Sequence, residues 1–551
     1  MAIRFRFKSF RPKLLETLPG YNRQQLLADA SAGLTVGVLA IPLAMAFAIA
    51  SGASPSSGLW TAIIAGACIS AFGGSRVQIG GPTGAFIPIL YSIIVVYGFH
   101  NMLAATFMAG VLLLVMGLTG MGSLIRLIPV SVVIGFTNGI AVVIAFSQLR
   151  DFFGLDVDKL PAEFFARLRI LSENAHSVDW PTTALGVGCV ALVLVWGKLA
   201  ERWPRLGVIP AQMAALLLGT LVSVLFSLPV ETLGSRFNGI PQELPGFSFP
   251  LPSLESLGRL LPPAITIALL GAIESLLSAR VADAQIDDRH DPNQELLAQG
   301  IANMASPFFG GIPATGAIAR TATNVRAGGR TPLAGLVHCA TLLVVVLAAA
   351  PLAAYVPISV LAAIVLITAW RMGDWHEFRR LRHFSWNYRI ILLSTFVLTV
   401  LFDLTIAVEI GMVLASLFFI YRMQALTSVE QVTDTELAAG VSLYALQGSL
   451  FFGSIAKLDA QIEERPAQTR VLILDMRELI NADTSGIDWL HGLWRAQVRQ
   501  GGHLLLCSLG RQPASLVQRS GLLHSLGEAN IVTDRPAALA RAHSLIGESL
   551  Q

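Results

Sequence analysis

Between Ala30 and Arg422 the chain is a near-continuous series of apolar segments, separated mostly by short polar turns. A water-soluble fold cannot cover such a series. Charged residues make up only 13% of the chain, against roughly 25% in an ordinary soluble domain. With 54% hydrophobic residues and a mean hydropathy of +0.65, the chain is a polytopic membrane protein, and disorder is excluded over most of its length. The apolar segments are 30–50, 58–72, 83–97, 102–118, 129–146, 181–196, 208–226, 262–277, 296–309, 315–326, 332–351, 357–370, 390–401 and 404–420, fourteen in all. Several fall short of the ~20 residues a helix needs to cross a ~30 Å hydrocarbon core. These are half-helices, or helices that extend beyond their apolar run.

Charge sets the expected orientation. Arg4, Arg6, Lys8, Arg11, Lys13 and Arg23 precede the first segment, against Glu16 and Asp29. No compact apolar region with a cleavage site follows, so this is a basic arm on the cytoplasmic side and not a secretory signal. The connection 371–389 carries five Arg against Asp374 and Glu377, and 198–205 carries Lys198, Arg202 and Arg205 against Glu201. Both are expected in the cytoplasm. Connections 150–180 and 227–261 lack such an excess and are expected outside. Within the first, 160–172 has helical spacing of Phe164, Phe165, Leu168 and Leu171 and suits the membrane surface. A net charge of +3 is too small to suggest a nucleic-acid partner. Cys68, Cys189, Cys339 and Cys507 lie far apart, with neither metal spacing nor a disulfide framework.

An internal echo is the most informative pattern. Gly80-Gly81-Pro82-Thr83-Gly84-Ala85 resembles Gly310-Gly311-Ile312-Pro313-Ala314-Thr315-Gly316-Ala317, and the shared Thr-Gly-Ala recurs after 232 residues. Both copies open an unusually short apolar segment. The same offset carries Pro42 of the first segment onto Glu274 of the eighth. Seven segments per copy force the second copy to enter from the opposite side, so the repeat is inverted. Short Gly/Pro-interrupted segments at matching places in two halves point to a transporter site. A helix that begins inside the membrane offers unpaired N–H groups and the positive end of its dipole to an anion. The alternative is that these glycines serve close helix packing alone.

Glu274 lies within an apolar stretch from Ile265 to Leu277. An acid there faces a cavity and is functional by default. Burial disfavours its charge, which suits a residue that carries a proton with the substrate. Ser278 follows one turn on and shares its face. The alternative is a structural acid paired with a cation or the backbone. Asp403, between two short segments, suits helix capping. Arg320 stands four residues after Gly316, where it either lends positive potential to the site or snorkels to water with Arg326 and Arg330.

After Arg422 charges become frequent and short strands alternate with helices. Residues 441–446, 450–452, 470–476 and 502–507 are expected strands; 485–500 and 512–520 are expected helices. This is a small α/β domain without a phosphate loop, metal cluster or catalytic triad. His491, His503, His524 and His543 are scattered and expected at the surface. The chain thus divides into an arm (1–25), a membrane domain (26–425) and a C-terminal domain (426–551). No cofactor and no enzymatic chemistry are expected.

Ala40-Ile41-Pro42-Leu43-Ala44-Met45-Ala46-Phe47-Ala48, the Gly80–Ala85 motif, 271–283 and 310–329 together resemble the SulP sulfate permeases, solute carrier family 26. Leu474-Asp475-Met476 followed by Ala482-Asp483-Thr484-Ser485-Gly486-Ile487 resembles the sulfate-transporter and anti-sigma-antagonist (STAS) domain. The resemblance covers nearly the whole chain after residue 25. It implies an α-helical membrane protein of fourteen segments in two inverted seven-segment repeats, divided into core and gate domains, with a small α/β STAS domain and a homodimeric assembly. It also implies a substrate site between the third and tenth segments. Matched by motif, the third-segment contacts fall on Thr83, Gly84 and Ala85 and the tenth-segment contacts on Gly316, Ala317 and Ile318. The eighth-segment acid falls on Glu274, its hydroxyl neighbour on Ser278, and the tenth-segment basic position on Arg320, which favours the site role for that arginine.

The departures are specific. Many members have Gln where Leu43 stands. A sodium-coupled bicarbonate branch has Asp and Thr in place of Glu274 and Ser278, and Thr in place of Ile318. Without an oxygen at Ile318 a sodium site is weakened, which favours protons as the coupling ion. Ser485 matches the serine phosphorylated in anti-sigma antagonists, but in transporters this residue is more often structural. The expected activity is secondary transport of a small anion such as sulfate, bicarbonate or a dicarboxylate across the inner membrane. The alternatives are a sodium-coupled bicarbonate symporter and an uncoupled exchanger or channel on the same fold.

Overall fold

The computed structural model describes residues 10–123, 129–157, 160–161, 163–203, 209–239, 246–247, 254–402, 404–432, 437–463, 465–466 and 468–548. Two compact units divide the chain, Met1–Met412 and Val413–Gln551.

In the first unit the helices of the first repeat follow a short α1 (Lys13–Thr17): α2 (Arg23–Ala50), α3 (Pro55–Phe72), α4 (Ile87–Tyr97), α5 (Phe99–Leu118), α6 (Val130–Phe153), a surface helix α7 (Phe164–Glu173), α8 (Trp180–Arg202) and α9 (Ala211–Leu225). A short α10 (Leu233–Phe237) precedes the second repeat: α11 (Leu254–Ile286), α12 (Pro292–Ala305), α13 (Ile318–Arg326), α14 (Leu333–Ala353), α15 (Ile358–Met372), a short α16 (Trp375–Arg380), α17 (Trp386–Leu401) and α18 (Leu404–Ala425), within which the division between the two units falls. Among the described residues, seven helices are long and apolar enough to cross a membrane; α15 and α16 form a broken eighth, bent by 40°. Shorter apolar helices at Gly84–Tyr97, Ala211–Leu225, Trp386–Leu401 and Ile410–Ala425 complete the apolar set.

The two repeats pack as mirror partners in sequence. α2 lies on α14 and its counterpart α11 lies on α5; α3 meets α14 and α12 meets α5. α6 packs on α17 while α15 packs on α8, and the equivalent pairs α3–α12 and α6–α15 touch each other. Two bundles result: α2–α5 with α11–α14, and α6, α8, α9, α15 and α17. Between the repeats lies a two-residue ladder, β1 (Gly80–Gly81) against β2 (Thr315–Gly316), antiparallel with Gly80 opposite Gly316 and Gly81 opposite Thr315. Extending that register by one residue sets Pro82 opposite Ala314, which are one position in the two copies at the 232-residue spacing. An antiparallel pair centred on equivalent positions is what a two-fold axis between inverted repeats requires.

Helix ends follow local chemistry. Asn22 and Gln25 form a reciprocal capping box at the start of α2. Asp179 accepts from Thr182 N at the start of α8, and Asp291 accepts from Asn293 N and Gln294 N at the start of α12. Close packing rests on missing side chains. A Cβ on Gly33 would lie 2.4 Å from the Ala334 carbonyl, and one on Gly135 2.4 Å from the Leu392 carbonyl.

Two sequence segments differ in character from expectation. The tenth shrinks to α13, nine residues rich in Arg, Thr and Asn, because the motif before it is extended strand. The ninth begins earlier, at Pro292, and buries Asn293, Gln294, Glu295, Gln299 and Asn303. The surface helix expected over 160–172 is α7, with Phe164 edge-on to Phe146 of α6 at 5.2 Å. Asp403 lies outside the described residues.

The second unit is a five-stranded sheet, β3 (Ser428–Gln431), β4 (Val441–Leu450), β5 (Val471–Ala482), β6 (His503–Cys507) and β7 (Ile531–Val532), in that spatial order. Only β3–β4 is antiparallel. α19 (Ile455–Glu463), α20 (Thr484–Arg499), α21 (Arg511–Arg519) and α22 (Leu522–Leu526) supply cover for one face; α23 (Arg535–Glu548) covers the other with Ala538, Ala542 and Leu545. The strands expected at 441–446 and 450–452 are one strand, β4, whose register shifts absorb the break. Ser485 is half-buried in the first turn of α20, beside Asp483, which accepts from Gly486 N at 2.8 Å. None of the four histidines is buried.

Candidate functional site

The site is built where β1 and β2 hand over to helices. After β1, Thr83 precedes a single 3-10 turn, Gly84–Phe86, which runs into α4. After β2, Ala317 caps α13. Each helix therefore starts inside the protein and leaves its first-turn N–H groups without helical partners. Thr83, Gly84, Ala85, Gly316 and Ala317 are all buried, and Ile318 is half-buried. The Thr83 hydroxyl is buried without a hydrogen-bond partner among the described residues. One predicted contact is already committed: the Ala317 amide donates to the Ile79 carbonyl at 2.9 Å. That bond continues the ladder, and among the described residues the amides that follow it in the first turn of α13 are the ones without a helical partner.

Arg320 is 2% exposed, so it does not snorkel to water. Its Nη2 donates to the Pro82 carbonyl, and its Nη1 is buried without a partner among the described residues. The guanidinium lies against Gly81, which has φ +147°; a Cβ there would fall 2.5 Å from Nη1. Only glycine admits both that conformation and that approach. A full cation thus backs the crossing point of two helix N-termini.

α11 lies beside this crossing. Thr315 Oγ1 donates to the Gly271 carbonyl at 3.0 Å, one turn before Glu274. Ser278 Oγ donates to Thr321 Oγ1 at 3.3 Å, and that hydroxyl accepts from Ile79 N at 3.1 Å. Ser278 is therefore joined to α13 and to the residue before β1. Glu274 is 8% exposed, and no hydrogen bond or ion pair reaches it among the described residues. A cavity of about 760 Å³ begins at Ala85 and runs between α4 and α11 on one side and α6 and α17 on the other, reaching α7. Its walls are mostly apolar, with Ser92, Tyr97, Thr266 and Thr399 as hydroxyls and Arg167 and Glu163 at the α7 end.

Sequence reasoning missed the layer behind the ladder. Glu295, Gln299 and Asn303 occupy one face of α12 and are at most 1% exposed. Their spacing of four residues is a signal that was legible, since it places three polar groups on one stripe. Their partners, Gln78 and Ser275, are isolated polar residues and carried no signal.

This architecture is that of a multi-pass membrane transporter with crossed half-helices, joined to a small α/β domain. The sulfate permease family model matches residues 26–432, and the STAS domain model matches 433–536. The chain is 43% identical over 516 residues to YvdB of Bacillus subtilis, covering 92% of this chain and 96% of that one. It is 32% identical over 550 residues to the bicarbonate transporter BicA of a Synechocystis species, covering 95% of each. The structure of murine Slc26a9, an anion transporter, superimposes with a TM-score of 0.85 at 18% identity, over 97% of this chain and 94% of that one, and shows a shared fold. The protein belongs to the sulfate permease family and carries a C-terminal STAS domain.

Proposed function

We infer that the chain is a secondary active transporter of a small anion of the sulfate, bicarbonate or dicarboxylate class, and not an enzyme. The observation that carries this is the crossing of two half-helix starts beside the buried Arg320, with an unpartnered Thr83 hydroxyl in the same place. Backbone amides, one hydroxyl and one guanidinium suit an oxyanion. The substrate contacts in this reading are Thr83, Gly84, Ala85, Gly316, Ala317, Ile318 and Arg320, with Ala317 contributing shape and its neighbours the amides.

Protons are the coupling ion, held by Glu274 with Ser278 as its hydroxyl neighbour. The isolation of Glu274 from any cation among the described residues supports this: an acid without a partner there, in an apolar helix, is free to change charge. Transport proceeds by an elevator-like movement of the α2–α5, α11–α14 bundle against the other. The cavity between the bundles supports that division. The protein works in the cell inner membrane as a homodimer, with its N-terminus and STAS domain in the cytoplasm. The similarity to BicA favours including bicarbonate in the class.

The test is a radiolabel uptake panel of sulfate, bicarbonate and succinate in proteoliposomes, with imposed proton or sodium gradients. Concentrative uptake of at least one anion driven by an inward proton gradient is expected. Uptake driven only by sodium would move the coupling role from protons to sodium, and equal flux under every gradient would make the protein an uncoupled exchanger or channel.

A further inference from the structure

Behind the ladder, the carboxyl group of Glu295 accepts four hydrogen bonds. Oε2 accepts from Gly74 N at 3.0 Å. Oε1 accepts from Gln78 Nε2 at 2.9 Å, Ser275 Oγ at 3.1 Å and Gln299 Nε2 at 3.0 Å. Gln78 Nε2 also donates to Ser275 Oγ at 2.7 Å. The donors come from the turn after α3, the approach to β1, the helix of the coupling acid and α12 itself. Ser275 is the residue next to Glu274. One turn further along α12 from Gln299, Asn303 holds the other strand: its Nδ2 donates to the Ala314 carbonyl and its Oδ1 accepts from Ala314 N, both at 2.8 Å.

The Gln78 side chain is packed between Glu295 and the ladder. A Cβ on Gly316 would lie 1.9 Å from Gln78 Nε2, so the amide of Gln78 touches the backbone of β2 directly. Glu295 therefore fixes where Gln78 sits, and Gln78 fixes how close β2 approaches β1. The side chains of Gln78, Ser275, Glu295, Gln299 and Asn303 are at most 4% exposed, so water cannot replace a lost partner.

We propose that Glu295 is a positioning residue for the anion site: through Gln78 and Ser275 it sets the spacing of the paired strands that open the two half-helices, and it joins that spacing to the helix bearing Glu274. The proposal rests on the anion-site reading above. Glu295 touches none of the substrate-contact residues of that reading by hydrogen bond, and acts through its partners.

The test uses the full-length chain and two readouts. Glu295→Gln is close in shape but turns one acceptor into a donor that faces N–H groups. Ser275→Ala removes one partner without adding a donor. Hydrogen exchange over 78–86 and 312–318 reports the ladder whether or not an anion binds. Proteoliposome uptake of sulfate and bicarbonate reports the site. Glu295→Gln should speed exchange in both segments at least tenfold, with α6 and α15 unchanged. It should also raise the apparent substrate constant about tenfold, with maximal rate per inserted molecule within about threefold. Ser275→Ala should shift both readouts in the same direction by less, and decides the matter alone if Glu295→Gln does not insert. Unchanged exchange in the two segments overturns the proposal. So does faster exchange with an unchanged substrate constant, and so does a general loss of protection that includes α6 and α15. If the wild-type chain takes up no anion while the exchange pattern appears as expected, Glu295 still sets the ladder spacing, but the transport reading falls and the anion-site part of the proposal falls with it.

Discussion

Single residues in this protein act through what they lack as much as through what they contact. Glu274 has no partner among the described residues, so Glu274→Gln removes a charge without orphaning another group. The variant should insert and fold like the wild type and lose its response to an imposed pH gradient. Initial uptake with and without the gradient checks this, and an undiminished gradient response in the variant would remove Glu274 from coupling. Gly316 lacks a side chain for a steric reason: the space is filled by Gln78. Gly316→Ala must push Gln78 away or part the strands. The expected result is at least a ~10-fold rise in the apparent substrate constant, equivalent to ~1.4 kcal/mol. A substrate constant equal to wild type would mean that the ladder spacing does not govern binding.

At the scale of elements, small residues decide which helices can touch. Gly33 faces the Ala334 carbonyl, while Gly188, on α8, has nothing within 4 Å of where a Cβ would stand. Gly33→Ala should cost about 1–3 kcal/mol through overpacking between α2 and α14. Gly188→Ala should be neutral or stabilising by up to about 1 kcal/mol, since it removes a flexible residue from a helix. Thermal unfolding of both variants in the same detergent tests the contrast; equal melting temperatures would contradict it. In the STAS domain, β6 ends on Cys507, fully buried beside Asp475. Burial, reinforced by the Asp475 charge, pushes this thiol up to about 12. The thiolate is the reactive form, so at pH 8 Cys507 should resist a maleimide in the folded protein and react once denaturant is added. Rapid native labelling at Cys507 would show that β6 opens.

At the scale of the whole molecule, each compact unit makes its hydrophobic core from its own residues. Every candidate substrate and coupling residue lies before residue 330. Truncation near Thr427 should therefore leave an inserted, folded membrane unit. The same truncation should impair transport, dimer stability or trafficking, because the candidate anion contacts lie outside the STAS domain. Size in detergent and initial uptake rate per inserted molecule, compared with the full chain, separate these roles. If both quantities match, the domain neither regulates transport nor stabilises a dimer.

Much of the architecture was written in the sequence, for a physical reason. A membrane demands long apolar runs and internally satisfied backbone, so segment count, the α/β character of the C-terminal domain and the inverted echo at 232 residues all leave one-dimensional traces. Thr83-Gly84-Ala85 and Thr315-Gly316-Ala317 stood out as candidates because a motif repeated at equal spacing survives projection onto one dimension, whereas Arg320 has no equivalent in the first copy, where Pro88 stands, and was favoured for the site only by the resemblance. The polar layer did not project in the same way. Gln78, Ser275 and Glu295 are distant in the chain and meet only when α11, α12 and the approach to β1 converge. The engagement of the Ala317 amide and the burial of Arg320 against Gly81 were likewise decided by tertiary structure. Hydrogen-bond partners and close approaches depend on distances between elements, and those distances are set by how the two repeats pack across their two-fold axis.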